Sequence, residues 1–415
     1  MRRDFAWLWA GQSLNLLGDQ LMVLALPLLA VTVLKTSAAQ AALLPFAFFV
    51  PFLVLGLPAG AIVDRFSRRT TMMICDATQA IAFLAIAALA AAGALPFAAL
   101  LALVSVSGAA TVFFQVAYTS YLPALLTDPK DLHRGNARLF LSESMSRTIG
   151  PALAGPVIAA FGVVWAIAAN VGSFVVSVLA VLAIRHREPL PVHRPRASGW
   201  IHRDVAEGLR FVVAHPEIEP VISCGVVYVL FLTMVEASFV LYARDALGLG
   251  TVGIGVVMGA AASGFPIGNL ASDRLIERLG IPRTLVAGAL TSVAGLLLVP
   301  VFGHAGSISG LVAASVLHGV GEGAFGPCAL THRQTQSPPE LLGRVNAVQR
   351  FFIWGATPLG SVLASITIAA AGLSAAVWIG CCGTALCLPL LLRRGVRLAL
   401  VSAGRAADAP PRPAG

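Results

Sequence analysis

Asp19 stands inside a long apolar run, and with Gln12 and Asn15 it forms a polar stripe at spacings of three and four, one face of a helix. Counted from Phe5, it lies roughly 20 Å along that helix, close to the middle of a bilayer. An ionisable group at that depth costs about 2.5–3.5 kcal/mol on insertion scales, so its presence demands a reason. Two reasons fit: a carboxyl withdrawn from water can take up and release a proton, or it can hold neighbouring helices together as a buried hydrogen-bond partner. Glu236 and Glu322 are the other acids deep inside apolar runs, and His318 precedes Glu322 by one helical turn, so that pair is either a proton relay or a satisfied structural contact. Ser107, Thr111, Gln115 and Tyr118 share one helix face, and Tyr228 adds a phenol elsewhere. These groups suit hydrogen bonding or stacking with a bulky ligand, or ordinary interhelical bonding. Glu143 and Arg147 are spaced to pair with each other, and Asp76, two turns from a helix end, is expected to brace Arg68 and Arg69.

The elements that position these residues are membrane spans. With 58% hydrophobic and 11% charged residues, the 415-residue chain cannot solvate a soluble surface. A span needs about 20 apolar residues, and twelve runs qualify: 6–34, 40–63, 70–92, 96–122, 137–162, 164–185, 218–243, 251–276, 282–303, 307–331, 345–371 and 374–394. The first is too long and too polar for a cleaved signal peptide. With both termini cytoplasmic, 25 of the 28 Lys and Arg fall on the inner side. Only Lys35 and Arg244 lie outside and Arg147 within a span, so the net charge of +9 reports topology and not nucleic-acid binding. The chain divides into six spans over 1–186, a linker over 187–217, six spans over 218–395 and a disordered cytoplasmic tail over 396–415. Within the linker, Ile201, Val205, Leu209, Val212 and Val213 recur at helical spacing, as in an amphipathic interfacial helix. All six cysteines fall in spans without metal spacing, so neither disulfide, metal nor cofactor is expected. No P-loop and no H-E-x-x-H motif is present, which disfavours nucleotide hydrolysis and an integral membrane enzyme.

The two halves echo each other. Shifted by 210 residues, Asn136 to Gly162 falls on Asn346 to Gly372 without a gap, with 9 of 27 positions identical, among them Gly150 on Gly360 and Gly162 on Gly372. At a shift of 209, Asp64-Arg65 falls on Asp273-Arg274. Parallel repeats with a site between them are a recurring transporter plan.

The loop after the second run reads Gly60-Ala-Ile-Val-Asp64-Arg65-Phe-Ser-Arg68-Arg69. It resembles the G-x-x-x-D-R-x-x-R-R signature of the major facilitator superfamily. Leu8-Trp9-Ala10-Gly11, Leu17-Gly18-Asp19, Leu26-Pro27-Leu28, Trp354-Gly355 and Pro358-Leu359-Gly360 are similar to the branch of macrolide and enterobactin exporters. The resemblance implies that Asp64 meets the start of the eleventh helix near Arg344 to Val348, a contact able to act as a gate. Gly60 is expected to allow close helix approach there. Asp273 and Arg274, lacking the paired arginines, form a weaker second latch. Gly150-Pro151 with Gly155-Pro156 resembles the antiporter motif, with Ala154 in place of one of its glycines, and should form a bend or a close-packed seam. The resemblance also implies that spans one, four, seven and ten line the cavity, making Asp19 the leading proton-coupling carboxyl.

The expected molecule is therefore an all-α membrane protein of twelve transmembrane helices in two parallel-repeat six-helix bundles, monomeric in the inner membrane of a bacterium. Its expected work is proton-coupled export of an amphipathic drug or secondary metabolite. Export of a siderophore or lipid is the alternative, and a non-transporting sensor or a membrane enzyme a distant one.

Overall fold

The structure, a computed structural model, describes residues 3–63, 65–126, 128–185, 200–338 and 341–393. Asp64, the Pro- and Arg-rich stretch of the linker and the 396–415 tail lie outside the described residues. Fourteen α-helices follow in order: α1 Arg3–Thr32, α2 Ala38–Ala41, α3 Leu44–Val63, α4 Arg68–Ala91, α5 Phe97–Leu125, α6 Pro129–Phe161, α7 Val163–Ala183, α8 Trp200–Ala214, α9 Ile218–Leu241, α10 Thr251–Leu279, α11 Ile281–His304, α12 Ile308–Gln336, α13 Leu342–Thr384 and α14 Cys387–Leu391. A π-helical turn, Tyr242–Ala246, extends α9. No strand occurs among the described residues.

Among the described residues, ten helical stretches are long and apolar enough to cross a membrane by length and composition. The count differs from twelve runs for two physical reasons. At its polar start α6 carries Lys130, Asp131, Arg134 and Arg138, and Glu143 and Arg147 follow, so it fails on composition although its 33 residues reach about 50 Å. The last stretch, Leu342–Leu391, holds two helices that meet at Gly372, whose φ of 85° and ψ of 173° break the helix. Large apolar side chains such as Val54, Ile74, Ile81, Trp165 and Leu270 are more than half exposed, as lipid-facing residues are.

Local chemistry sets the helix ends. Asp128 caps α6 by accepting from the Lys130 N–H at 2.8 Å, with Pro129 at the first helical position, where its missing N–H costs nothing. Ser67 caps α4 and Ser307 caps α12 in the same way. Gly162 joins α6 to α7 at φ 85° and ψ 165°, nearly the angles of Gly372. These are the two glycines that the 210-residue shift superimposes, and only glycine adopts that region without strain. The repeat is thus written into the backbone.

The described residues form two compact units. One comprises Met1–Ser198, Thr233–Ala260 and Thr357–Val377. Its core packs Met22, Leu28, Ile86, Leu100, Ile167 and Phe174 in one cluster, with Phe83 stacked on Phe174 at 5.8 Å, and Phe5, Leu8, Met72, Tyr121 and Leu125 in another. Within this unit α6 and α10 approach until their backbones touch: a Cβ on Gly255 would stand 2.6 Å from the Pro151 carbonyl oxygen, and one on Gly155 would strike the Thr251 carbonyl. Gly150, Pro151, Gly155 and Pro156 therefore lie in a close-packed seam. On α13, the Ser361 hydroxyl donates to the Ala42 carbonyl and accepts from the Phe46 N–H at 3.0 Å, satisfying backbone groups where α2 passes into α3.

The other unit comprises Gly199–Leu232, Ala261–Ala356 and Trp378–Gly415. Its glycine-rich helix α12 packs two ways. Gly319 and Gly323 meet the α10 backbone at Ala261 and Phe265, whereas Gly321 meets α11 at Ser292. Leu209 and Val212 of α8 pack with Ile218, Ile222, Val345 and Val348, and Glu207 bonds Arg344 at 2.7 Å. Leu209 and Val212 of the linker helix thus pack on protein, while Val213 is exposed.

Two local expectations are corrected. Gly60 has open space around its Cβ position, so it serves no close approach. Its counterpart Gly268 is the tight one, facing the Val320 carbonyl. Asp76 does not brace the arginine loop: Arg69 spends its guanidinium on the Val181 and Leu182 carbonyls at 3.1 and 2.8 Å, because a helix end nearby leaves those acceptors open.

Candidate functional site

In the first unit, the polar residues of α1 meet α7. Gly11 and Gly18, two turns apart, carry no side chain and let α7 approach: a Cβ at Gly11 would touch Ala180 and Ser177, and one at Gly18 would strike Asn170 and Ser173. Asn15 lies between the two glycines, 4% exposed, and its Oδ1 has no hydrogen-bond partner. Gln12 is half-buried, with Oε1 also unpartnered. Asp19 is exposed, one residue beyond Gly18, and the amide nitrogen of Asn170, the residue that Gly18 meets, has no hydrogen-bond partner. On α7, Asn170, Ser173 and Ser177 form one face at spacings of three and four, all buried. Ser173 donates to Asn170 Oδ1 at 3.0 Å, and Ser177 donates to Asp76 Oδ2 at 2.6 Å.

The expected ligand face of α5 divides. Ser107 is 1% exposed and donates to Gln79 Oε1 at 3.4 Å, and Thr111 donates to the same oxygen at 3.1 Å. Ser107 is committed to α4, while the single Thr111 proton is shared between Gln79 and the Ser107 carbonyl at 2.9 Å, since a polar group inside an apolar bundle needs a partner there. Gln115 remains exposed, and Tyr118 stacks on Phe114 at 5.9 Å. Glu143 and Arg147 pair at 3.0 Å on the exposed face of α6. Glu236 is exposed on α9. Arg65 is exposed and Arg68 half-buried at the start of α4, and Asp273 and Arg274 are exposed on the last turns of α10, within the helix.

The second unit contains its own network. Tyr228 of α9, Ser292 of α11 and His318 of α12 converge: the Tyr228 hydroxyl is 2.6 Å from Ser292 Oγ, which is 2.9 Å from His318 Nδ1. His318 Nε2 stands 3.8 Å from Glu322 Oε2, an ion-pair separation and too long for the hydrogen bond expected from their spacing. Ser292 was not legible in the sequence as a partner. Its signal is Gly321, which lets α11 come close enough for Ser292 to reach the imidazole. Glu322, with 40% of its side chain exposed, is the open end of this chain of groups. Glu322→Gln and His318→Gln are expected to displace the pH profile of transport alike, since each removes one half of the pair. Two profiles superimposable on wild type would leave the network structural.

Residues 1–411 match the family model described as transmembrane secretion effector. The chain belongs to this major facilitator family. The transporter is 28% identical to the multidrug efflux pump Tap of Mycolicibacterium fortuitum over 94% of its own length and 92% of that protein's. Tap of Mycobacterium tuberculosis is 30% identical, covering 86% and 85%, and macrolide efflux protein A of Streptococcus pyogenes is 23% identical, covering 87% and 88%. Among solved structures, a bacterial homologue of the iron transporter ferroportin superimposes with a TM-score of 0.77 at 17% identity, covering 94% of this chain and 98% of that one. The nucleoside transporter NupG gives 0.75 at 12%, covering 97% and 100%. At such identities these structures show the fold alone. The transporter is thus an all-α, multi-pass membrane protein of the major facilitator type.

Proposed function

We propose that this transporter exports amphipathic organic molecules in exchange for protons. The observation that carries the reading is Asp19, an exposed carboxyl set by Gly18 against the polar face of an otherwise apolar α7. Relatives named as efflux pumps support export as the direction. In this reading Asp19 loads a proton from one side and releases it to the other, while the Tyr228, Ser292, His318 and Glu322 network offers polar contacts to the passenger. Both termini face the cytoplasm of a bacterial inner membrane, as the basic loops require, and a single chain suffices. Asp64 at the arginine loop and Asp273 at its echo act as gates.

Reconstituted into proteoliposomes, the full chain should move labelled erythromycin or ethidium uphill under an imposed pH gradient, and a protonophore should stop it. Movement that ignores the gradient would overturn proton coupling. No exchange of any compound in a broad panel would favour a sensor.

A further inference from the structure

Among the described residues of the first unit, Asp76 is the most enclosed charged side chain: 0% exposed, on α4, with Ser177 as donor to Oδ2 and no hydrogen-bond partner for Oδ1. An ionised carboxylate in that setting leaves a full lone-pair oxygen unmet in an apolar interior, which proteins avoid. Among the described residues, no cation pairs with it. From α7 come Ser177 and its neighbours, and α7 holds no ionisable residue at all; α5 holds only Tyr118 and Tyr121; α4 itself adds Cys75 and, about two turns away at its start, Arg68 and Arg69, the latter spent on the Val181 and Leu182 carbonyls; and α1 contributes Asp19. A second carboxyl is the reverse of a counter-ion.

Hydrogen counting sharpens the point. Asn15 Oδ1 is a second buried acceptor without a donor, and it lies between the glycines that seat α1 on Asn170–Ser173 and Ser177–Ala180, level with the turn of α7 that bonds Asp76. One proton on Asp76 Oδ1 turns an orphan acceptor into a donor and removes the unpaired charge from the interior. The two acids also mark the ends of one polar face: Gly18, next to Asp19, meets Asn170 and Ser173, and one turn further on Ser177 is bonded to Asp76. Asp19 is exposed, and Asp76 is sealed.

We propose that Asp76 is a second proton-carrying carboxyl, a buried store that exchanges its proton through Asp19. In the exchange the O–H bond of Asp76 breaks with its electron pair left on the carboxylate, the proton passes along the α7 face, and a new O–H bond forms on ionised Asp19, so one negative charge moves from the port to the store. The inference rests on the proton-driven reading above, but its test does not need a passenger.

The test is infrared spectroscopy of the purified full-length chain, comparing wild type, Asp76→Asn and Asp19→Asn at neutral pH. Asn keeps an acceptor for Ser177 and so preserves the fold at that point. Wild type should show a carboxylic-acid C=O band that Asp76→Asn loses. Asp19→Asn should keep that band but slow its isotope shift in heavy water several-fold. A band unchanged by Asp76→Asn, or absent from wild type, overturns the store; an isotope shift as fast in Asp19→Asn as in wild type overturns the port. Absence of gradient-driven transport by wild type, with these spectra as expected, would instead count against the proposed function and leave the store standing.

Discussion

Asp19→Asn is expected to reduce gradient-driven export to the level of empty vesicles while passenger exchange across the membrane continues. The two assays differ in what they ask of the carboxyl. Uphill export needs a group that changes protonation once per cycle, whereas exchange of labelled for unlabelled passenger needs only binding and the conformational change. With one proton per passenger, each pH unit of gradient is worth about 1.4 kcal/mol, about a tenfold concentration ratio. An amide at residue 19 sets that ratio to one. The substitution is nearly isosteric, and the residue is exposed at the edge of the α1–α7 contact, so the fold should survive it. Asp19→Asn that still accumulates erythromycin tenfold across one pH unit would remove Asp19 from coupling. Loss of both exchange and uphill transport would mean instead that the carboxyl binds the passenger.

Gly255→Leu is expected to force the α6–α10 seam apart and cripple transport. The α6–α10 seam leaves no room for a Cβ, with the Pro151 carbonyl oxygen 2.6 Å from where it would stand and the Gly155 backbone 3.2 Å away. Both obstacles are backbone, so neither can swing aside. Overpacking of this kind costs about 1–3 kcal/mol. If the seam is closed in one conformation of the cycle and open in another, that cost becomes about 5–150-fold in their ratio. A cysteine at Thr251, in a background without the six native cysteines, should then react faster with a membrane-impermeant maleimide in Gly255→Leu than in its parent. The initial rate of transport should fall at least tenfold. Equal labelling and an unchanged rate would show a seam that never needs to close.

The spans were legible because a bilayer admits little besides helices of one length. Composition and periodicity therefore carried the fold as far as its helices, and only α6 and the Gly372 corner altered the count. The sites were legible in proportion to how local they are. The α1 stripe follows from spacing alone, since Gln12, Asn15 and Asp19 lie on one helix. Asp76 was misread because its partner Ser177 is 101 residues away, and no periodicity in α4 announces which helix will lie against it. The same limit explains Ser107 and Thr111: a shared face was evident, but not that Gln79 would occupy it. Gly60 shows the converse, a motif residue whose expected close contact does not form because nothing approaches within 4 Å of its Cβ position.

The corner at Gly162 has a mechanical consequence. The Gly162 N–H bonds the Ile158 carbonyl, and its own carbonyl accepts from the Ala166 N–H, so backbone hydrogen bonding runs from α6 into α7 across a single residue. Such a joint has almost no slack. A shift of α6 at its contact with Gly255 is delivered to α7 as a rotation about one pivot, and α7 is the helix that carries Asn170, Ser173 and Ser177. Seam and polar stripe are joined through that one residue, so lengthening the joint by a few flexible residues should disconnect them without removing any polar group.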